Sequence, residues 1–227
     1  FPLGIATWGS TALVLSIVGV IYGSIIAIQQ KDAKRLLAYS SFAHVGLISA
    51  GMLTQSVEGI QGALYQMLSH GINVVGLFFV IDLIERRTKS RELTQLGGIT
   101  QASYVLSVCF VILSLGSVVL PLTNGFIGEF FSLMGAFTST HLTPIYAILG
   151  GLGILLGAGY LLWTFQKIYL GNYFVRESTW ELPDLTLLEK FSLFGLGILS
   201  IIFGIFPGII FELSEIFVTN SLNLIFH

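Results

Sequence analysis

The sequence predicts an all-α membrane protein: a polytopic helix bundle with about six transmembrane spans, one of them discontinuous. Two observations favour this fold class. Hydrophobic residues make up 54% of the 227 residues and charged residues only 10%, which is too few charges to cover a water-soluble domain. The apolar residues also fall into long runs separated by short polar segments, as in helices that cross a bilayer.

Six apolar runs are long enough to cross the hydrocarbon core, which takes about 20 helical residues. They cover residues 5–29, 36–53, 59–83, 103–138, 143–166 and 188–212. The fourth run is too long for one straight span, so we expect an interruption inside it. The segment 213–227 has apolar residues at near-helical spacing and is expected to form an interfacial helical tail.

The basic residues lie in alternate connections. The ten are Lys31, Lys34 and Arg35 after the first run, Arg86, Arg87, Lys89 and Arg91 after the third, and Lys167, Arg176 and Lys190 around the connection after the fifth. The connections after the second and fourth runs, "TQSVEG" and "TSTHLTP", contain none. The positive-inside rule therefore predicts that the basic loops are cytoplasmic and that both chain ends face the opposite side.

Charge and cysteine content exclude several classes of function. The net charge is −2 and no block of like charge occurs, which gives no electrostatic reason to expect a nucleic-acid partner. One cysteine, Cys109, allows neither an internal disulfide nor a cysteine-ligated cluster, so no cofactor or metal is expected in this chain. No basic stretch precedes the first run, which is expected to be a span of a longer protein and not a signal peptide.

Ionisable side chains at membrane depth are costly and need a reason to be there. His70 lies between Gln66 and Asn73, and this spacing puts the three polar groups on one helical face. A proton relay is one interpretation, because histidine titrates near neutrality. The alternative is a histidine that only hydrogen-bonds across a helix interface.

His44 has the same two interpretations. Ser40 and Ser41 precede it by four and three residues, on roughly the same face. Zinc binding is disfavoured, because two histidines on different spans lack the local spacing of a ligand motif.

The segment "LPLTNGFIGEF", residues 120–130, places a carboxylate beside a predicted helix break. Pro121 removes a backbone donor, and Asn124 and Gly125 favour non-helical backbone, which predicts an interruption at residues 121–125. Gly128 and Glu129 would then begin a second half-helix, whose N-terminal amides favour an anion. The alternative is a kinked helix with Glu129 paired to another chain.

Charged residues near the predicted cytoplasmic ends of the spans have a simpler interpretation. The segment "DLIERR", which contains Asp82 and Glu85, is typical of a salt-bridged helix end. Lys34 and Lys167 can extend to the interface, and each is a possible relay as well.

Four blocks of this chain closely resemble one family. They are "DAKRLLAYSSFAHVG", "GALYQMLSHGINVVGLFF", "LIERRTKSRELTQLGGIT" and "LPLTNGFIGEFF". Together they resemble the M-type subunits of bacterial NADH:quinone oxidoreductase, respiratory complex I, whose mitochondrial counterpart is subunit 4. Those subunits are antiporter-like with about fourteen spans, and residues 1–227 resemble the C-terminal six.

The resemblance implies a function and a set of residues. It implies proton translocation coupled to quinone reduction in the bacterial inner membrane, with His44, His70 and Glu129 on a central polar axis. Glutamate at position 129 favours the M type over its L-type and N-type paralogues, which usually have lysine there. NADH, FMN, iron–sulfur clusters and quinone are expected in other subunits, and the antiporter-like L and N types and the lipid bilayer are expected as partners.

The family's mid-membrane lysines and N-terminal glutamate would lie before Phe1, so pumping by this chain alone is not expected. Two other functions stay open at this point. One is a subunit of a cation/proton antiporter or of a membrane-bound hydrogenase. The other is a truncated scaffold that packs against neighbouring subunits without transporting anything.

Overall fold

The computed structural model describes residues 2–139, 143–172, 174–175 and 185–226. In this part of the chain nine helices and one pair of two-residue strands occur. The helices are α1 (Pro2–Gln29), α2 (Ala33–Met52), α3 (Val57–Thr88), α4 (Ile99–Ala102), α5 (Tyr104–Ser117), α6 (Asn124–Thr138), α7 (Ile145–Tyr169), α8 (Leu187–Ile205) and α9 (Gly208–Phe226). The strands are β1 (Leu96–Gly97) and β2 (Phe174–Val175), which pair antiparallel.

The fold is the predicted all-α membrane bundle. Among the described residues, four helices are long and apolar enough to cross a membrane alone: Thr7–Gln29, Val57–Thr88, Ile145–Tyr169 and Leu187–Ile205. The other two predicted spans differ from these. Helix α2 has 20 residues but carries Lys34, Arg35 and His44, and the fourth run is divided between α5 and α6, with 14 and 15 residues.

Polar side chains fix where several helices begin. Asp32 precedes α2 and accepts a hydrogen bond from the backbone N–H of Arg35 at 3.1 Å. Ser56 does the same for α3 through the N–H of Gly59, also at 3.1 Å. Thr186 and Glu189 form a reciprocal capping box at the start of α8. Each cap satisfies an amide that the first helical turn leaves without a partner.

The first two basic loops are joined by backbone hydrogen bonds. The N–H of Ala33 donates to Arg91 O at 2.9 Å, and the N–H of Leu93 donates to Lys31 O at 2.8 Å. Arg91 also pairs with Asp32 at 2.6 Å. The loops that the sequence assigns to one side of the membrane therefore meet at one end of the bundle. Arg176 of the third loop lies outside the described residues.

The discontinuity in the fourth span is confirmed, but its position differs from the prediction. Helix α5 ends at Ser117 and α6 already begins at Asn124, so the break covers residues 118–123. The backbone turns at Val119 and Leu122, whose φ angles are 66° and 76°, and both flank Pro121.

Asn124, Gly125 and Gly128 therefore lie in the helix, and the expectation that Asn124 and Gly125 form the break was wrong. Thr123 is extended and precedes the helix, while its hydroxyl donates to Leu120 O at 2.6 Å inside the break. Because the turn is complete at this threonine, the residues after it are free to adopt helical angles. Glu129 consequently lies in the second turn of α6 and does not start it.

Helices α3 and α6 pack closely through glycines. A Cβ on Gly62 of α3 would lie 2.7 Å from the carbonyl carbon of Phe131, and a Cβ on Gly128 of α6 would lie 2.8 Å from Gln66 Cα. Carbon atoms in contact are normally about 3.5–4.0 Å apart. The two helices can approach this closely because neither position carries a side chain.

The largest apolar core among the described residues lies between α2, α3, α5 and α7. Leu77, Ile81, Leu106, Phe110, Leu161, Ile168 and Tyr169 are among its fully or almost fully buried members. The rings of Phe110 and Tyr169 lie 4.6 Å apart between their centroids. Packing in this core fixes the relative positions of the helices, several of which also carry buried polar side chains.

The sixth predicted span is shorter than expected. Helix α8 ends at Ile205 and Pro207 separates it from α9, because proline lacks the amide needed to continue a helix. The predicted tail 213–227 thus belongs to a longer helix that begins at Gly208; His227 lies outside the described residues. Val218 and Leu222 of α9 pack against Ile60 of α3.

Candidate functional site

Glu129 lies at the centre of a buried polar cluster. Its side chain has no exposed surface. One carboxylate oxygen, Oε1, lies 2.7 Å from Nδ1 of His44 and accepts a hydrogen bond from Nε2 of Gln66 at 2.8 Å. The cluster therefore joins α6 to α2 and α3. Among the described side chains and backbone groups, the other oxygen, Oε2, has no hydrogen-bond partner.

The two histidines lie side by side in the bundle. His44 and His70 are 7% and 9% exposed, and their ring centroids are 5.0 Å apart. Nε2 of His70 lies 2.8 Å from the hydroxyl of Ser41. Both rings thus point inward toward polar groups, which is the arrangement that a proton relay needs.

The start of α6 is held by a second polar cluster. The side-chain oxygen of Asn124 accepts hydrogen bonds from Nδ2 of Asn73 and from the hydroxyl of Ser200, each at 2.9 Å. Nδ2 of Asn124 donates to the backbone oxygen of Ser69 at 3.5 Å. Asn73 and Asn124 therefore fix the break in the fourth span to α3 and α8.

Gln66, His70 and Asn73 share one face of α3, as their spacing predicted. Gln66 contacts Glu129, and Asn73 contacts Asn124. This face points to α2 and α6, so the polar residues of α3 line up against both halves of the site.

The two lysines named as possible relays lie apart from this cluster. Lys34 Nζ pairs with Asp82 at 2.9 Å and with Glu85 at 2.6 Å, at the basic end of the bundle. It precedes His44 by ten residues of α2, which is about 15 Å along the helix axis. Lys167 is exposed, and its Nζ lies 5.9 Å from the ring centroid of Trp163.

Sequence reasoning missed Tyr160 and Ser200. Tyr160 on α7 is 2% exposed and donates a hydrogen bond to Ser40 Oγ at 2.8 Å, and Ser200 on α8 is fully buried at the helix break. The available signal was a polar side chain inside an apolar run. A single tyrosine or serine is common in such runs, so this signal is weak.

The Glu129 cluster brings three ionisable side chains together inside the bundle. The Glu129 carboxylate lies within hydrogen-bonding distance of the His44 imidazole, and the His44 and His70 rings are in contact. No group of three or more His, Cys, Asp or Glu side chains arranged to hold a metal ion occurs in the described ranges.

A family model described as "NADH:quinone oxidoreductase/Mrp antiporter, TM" matches residues 3–157. The chain belongs to the NADH:quinone oxidoreductase/Mrp antiporter family. The match includes α1 to α6 and therefore the whole Glu129 cluster.

Curated relatives in this family include respiratory subunits. NADH-quinone oxidoreductase subunit M of Rickettsia bellii is 39% identical over 208 residues, which are 92% of this chain and 41% of the relative. NADH-ubiquinone oxidoreductase chain 4 of Marchantia polymorpha is 34% identical over 206 residues, 91% of this chain and 41% of the relative. The chain thus spans about two fifths of the length of the curated relatives it matches.

Solved structures of two complexes contain a similar fold. A chain of respiratory complex I from Thermus thermophilus with bound NADH superimposes with a TM-score of 0.89 at 29% identity, covering 99% of this chain and 46% of that one. A chain of the Mrp complex from Dietzia sp. DQ12-45-1b gives a TM-score of 0.85 at 17% identity, and the match covers 99% of this chain and 50% of that one. The second likeness concerns the fold alone.

Proposed function

We propose that this chain is the C-terminal part of a proton-translocating, antiporter-like subunit of the M type in a bacterial NADH:quinone oxidoreductase. The observation that carries the proposal is the buried pair of Glu129 and His44 beside a broken helix. A buried, titratable pair of this kind has no structural need in a lipid-soluble bundle, where an apolar pair costs less.

The geometry supports a sequence of proton-transfer steps. His70 and His44 act as relays, since their rings are in contact and each has a polar neighbour on another side. Glu129 receives the proton from His44 and exchanges it toward the side of the membrane opposite the basic loops. The broken helix supports this exchange, because non-helical backbone at membrane depth is found where a segment is buried in protein or lines a wet cavity.

The energy for transport comes from other subunits in this proposal. Quinone reduction there changes charge along the polar axis, and the Glu129 cluster responds by taking up or releasing a proton. NADH, FMN, the iron–sulfur clusters and quinone bind elsewhere, and no redox step occurs in this chain. Antiporter-like subunits of the L and N types pack beside it in the bacterial inner membrane.

The orientation forms part of the proposal. All three basic connections face the cytoplasm, by the positive-inside rule: the one after the first run, the one after the third run and the one after the fifth run. The first two of these loops meet at one end of the bundle, which supports a common side. Helix α9 begins at the opposite end, after α8.

The experiment replaces Glu129 in the intact complex. Glu129→Gln keeps the shape and hydrogen-bonding capacity of the side chain but removes its titration. We expect the complex to assemble and proton uptake to fall by about 100-fold or more, the usual size of an effect on positioned acid–base groups. Glu129→Asp keeps the carboxylate and is expected to retain part of the uptake.

The matched control is Glu212→Gln, the same chemical change at an exposed position of α9. Proton uptake and NADH:quinone turnover are measured in vesicles, with subunit content checked by gel. Full pumping by an assembled Glu129→Gln complex would refute the transport role and favour the scaffold.

A cation/proton antiporter is the second candidate, because the matching family also includes Mrp antiporters. It predicts that uptake by the same vesicles depends on a sodium or potassium gradient. The respiratory function predicts that uptake follows NADH:quinone turnover at constant cation concentration.

A further inference from the structure

We infer that Tyr160 is a further positioning residue for proton transfer. Its hydroxyl stabilises a proton on Nε2 of His44, the ring nitrogen that does not contact Glu129. This inference rests on the proposed function and names an additional residue for it. Tyr160 lies on α7, a helix that contributes none of the acidic or imidazole groups described above.

The first observation concerns the two nitrogens of His44. Nδ1 contacts Glu129 at 2.7 Å, whereas Nε2 is buried and has no hydrogen-bond partner among the described residues. A buried polar atom without a partner is costly, so the polar groups near Nε2 decide which hydrogen bonds it can form. When Nδ1–H donates a hydrogen bond to the carboxylate, Nε2 carries no proton and is the nitrogen that accepts the next one.

The second observation concerns what lies around His44. A small cavity between α1, α2 and α7 is lined by Val20, Ala43, His44, Leu47, Gly150, Gly153, Ile154 and Tyr160. Tyr160 is the only other residue in this lining whose side chain carries a polar atom. Within this lining, its hydroxyl is therefore the side-chain group available to exchange hydrogen bonds with the imidazole through a water molecule.

The third observation is how the hydroxyl is held. Tyr160 donates its own proton to Ser40 Oγ at 2.8 Å, which leaves the phenolic oxygen able to accept a hydrogen bond from the cavity side. Ser40 precedes His44 by one turn on the same helix, so this hydrogen bond ties Tyr160 to the helix that carries His44. The tyrosine thus has a defined acceptor and a defined orientation.

This arrangement gives Tyr160 its effect on proton transfer. A proton that arrives at Nε2 produces an imidazolium, and the ring then releases the Nδ1 proton to Oε1 of Glu129, so one proton enters and one leaves. The ring is left with its proton on Nε2 and must return to the other tautomer before the next transfer. A phenolic oxygen that accepts from Nε2–H stabilises both the imidazolium and this second tautomer.

Tyr160→Phe removes the hydroxyl and keeps the ring, which also lines a separate groove with Ile28, Leu155, Leu156, Gly159 and Trp163. The matched control is Tyr169→Phe. Tyr169 lies on the same helix, is fully buried, and its hydroxyl has no hydrogen-bond partner within the described structure. Both variants lose a buried hydroxyl from α7, but only Tyr160 lines the cavity beside His44.

The test uses the intact complex in vesicles and measures proton uptake, NADH:quinone turnover and the pH dependence of uptake. We expect Tyr160→Phe to lower uptake about tenfold, the effect of losing one hydrogen bond of ordinary strength, and to move the pH midpoint of uptake. Tyr169→Phe is expected to leave both unchanged. The titratable groups around His44 on the described helices are Glu129 on α6 and His70 on α3, which contact the ring, and Tyr160 on α7, which lines the same cavity.

A second variant keeps the test decisive if Tyr160→Phe does not assemble. Ser40→Ala removes the acceptor that orients the hydroxyl and is expected to lower uptake in the same way. If both variants assemble, their effects should not add in the double variant, because they act on one hydrogen-bonded chain. Uptake and pH midpoint equal to those of Tyr169→Phe would overturn this inference, whereas full pumping by Glu129→Gln would overturn the proposed function itself.

Discussion

Gly128→Ala should damage the site without touching any titratable group. Gly128 precedes Glu129 on α6 and faces α3. A Cβ at this position would lie 2.7 Å from Gln66 Cβ and 2.8 Å from Gln66 Cα. Two carbon atoms prefer a separation of about 3.5–4.0 Å, so α6 must move away from α3 by about 0.8 Å.

The displacement is large enough to break the contact between Gln66 and Glu129. That hydrogen bond is 2.8 Å long, and an added 0.8 Å takes it beyond the useful range of about 2.7–3.2 Å. Overpacking costs about 1–3 kcal/mol, and leaving a buried polar group without its hydrogen-bond partner costs about 1–3 kcal/mol. Alanine returns about 1 kcal/mol through its higher helix propensity, which leaves a net loss of roughly 1–5 kcal/mol.

The assay compares proton uptake and thermal inactivation of vesicle-reconstituted complexes. The matched control is Gly159→Ala on α7, where an added Cβ meets no heavy atom within 4 Å. We expect Gly128→Ala to inactivate at a lower temperature and to pump less, while Gly159→Ala is unchanged or slightly more stable. Equal stability and equal pumping of the two variants would refute the argument from close helix packing.

Two further predictions concern the helix break. Asn124→Ala removes the oxygen that accepts hydrogen bonds from Asn73 and Ser200. Because two buried donors then lose their partner, stability should fall by about 2 kcal/mol or more. Asn220→Ala, at an exposed position of α9, is the control in the same thermal assay. Leu122→Gly should raise stability by about 0.5–1 kcal/mol, because Leu122 is 71% exposed and has a φ of 76°, which glycine adopts without strain. The backbone of Leu120 is not in the left-handed region, so Leu120→Gly should lower stability. A loss of equal size in both leucine variants would contradict the strain argument.

The sequence by itself determined the fold class and the candidate residues. Apolar runs of membrane length and alternating basic loops are properties of the chain order, and they need no knowledge of neighbours. The spacing of Gln66, His70 and Asn73 placed them on one face because a helix repeats every 3.6 residues. Glu129 and His44 were recognisable because ionisable side chains are rare at membrane depth.

The exact position of the break was not determined by the local sequence. Proline, asparagine and glycine all favour non-helical backbone, so the segment 121–125 was the expected interruption. In the structure, Val119 and Leu122 take the left-handed angles, while Asn124 and Gly125 are helical. Tertiary contacts decided this, because Asn124 gains two buried hydrogen bonds from α3 and α8 only when it begins α6.

Only the tertiary structure paired the polar groups with one another. His44 and Glu129 are 85 residues apart, and Tyr160 and Ser40 are 120 apart, so no periodicity within one helix relates them. Their pairing depends on how α2, α6 and α7 pack, which is set by close glycine contacts and by the shapes of many apolar side chains together. The sequence therefore identified ionisable and polar groups at membrane depth, and the packing of the helices decided which of them are in contact.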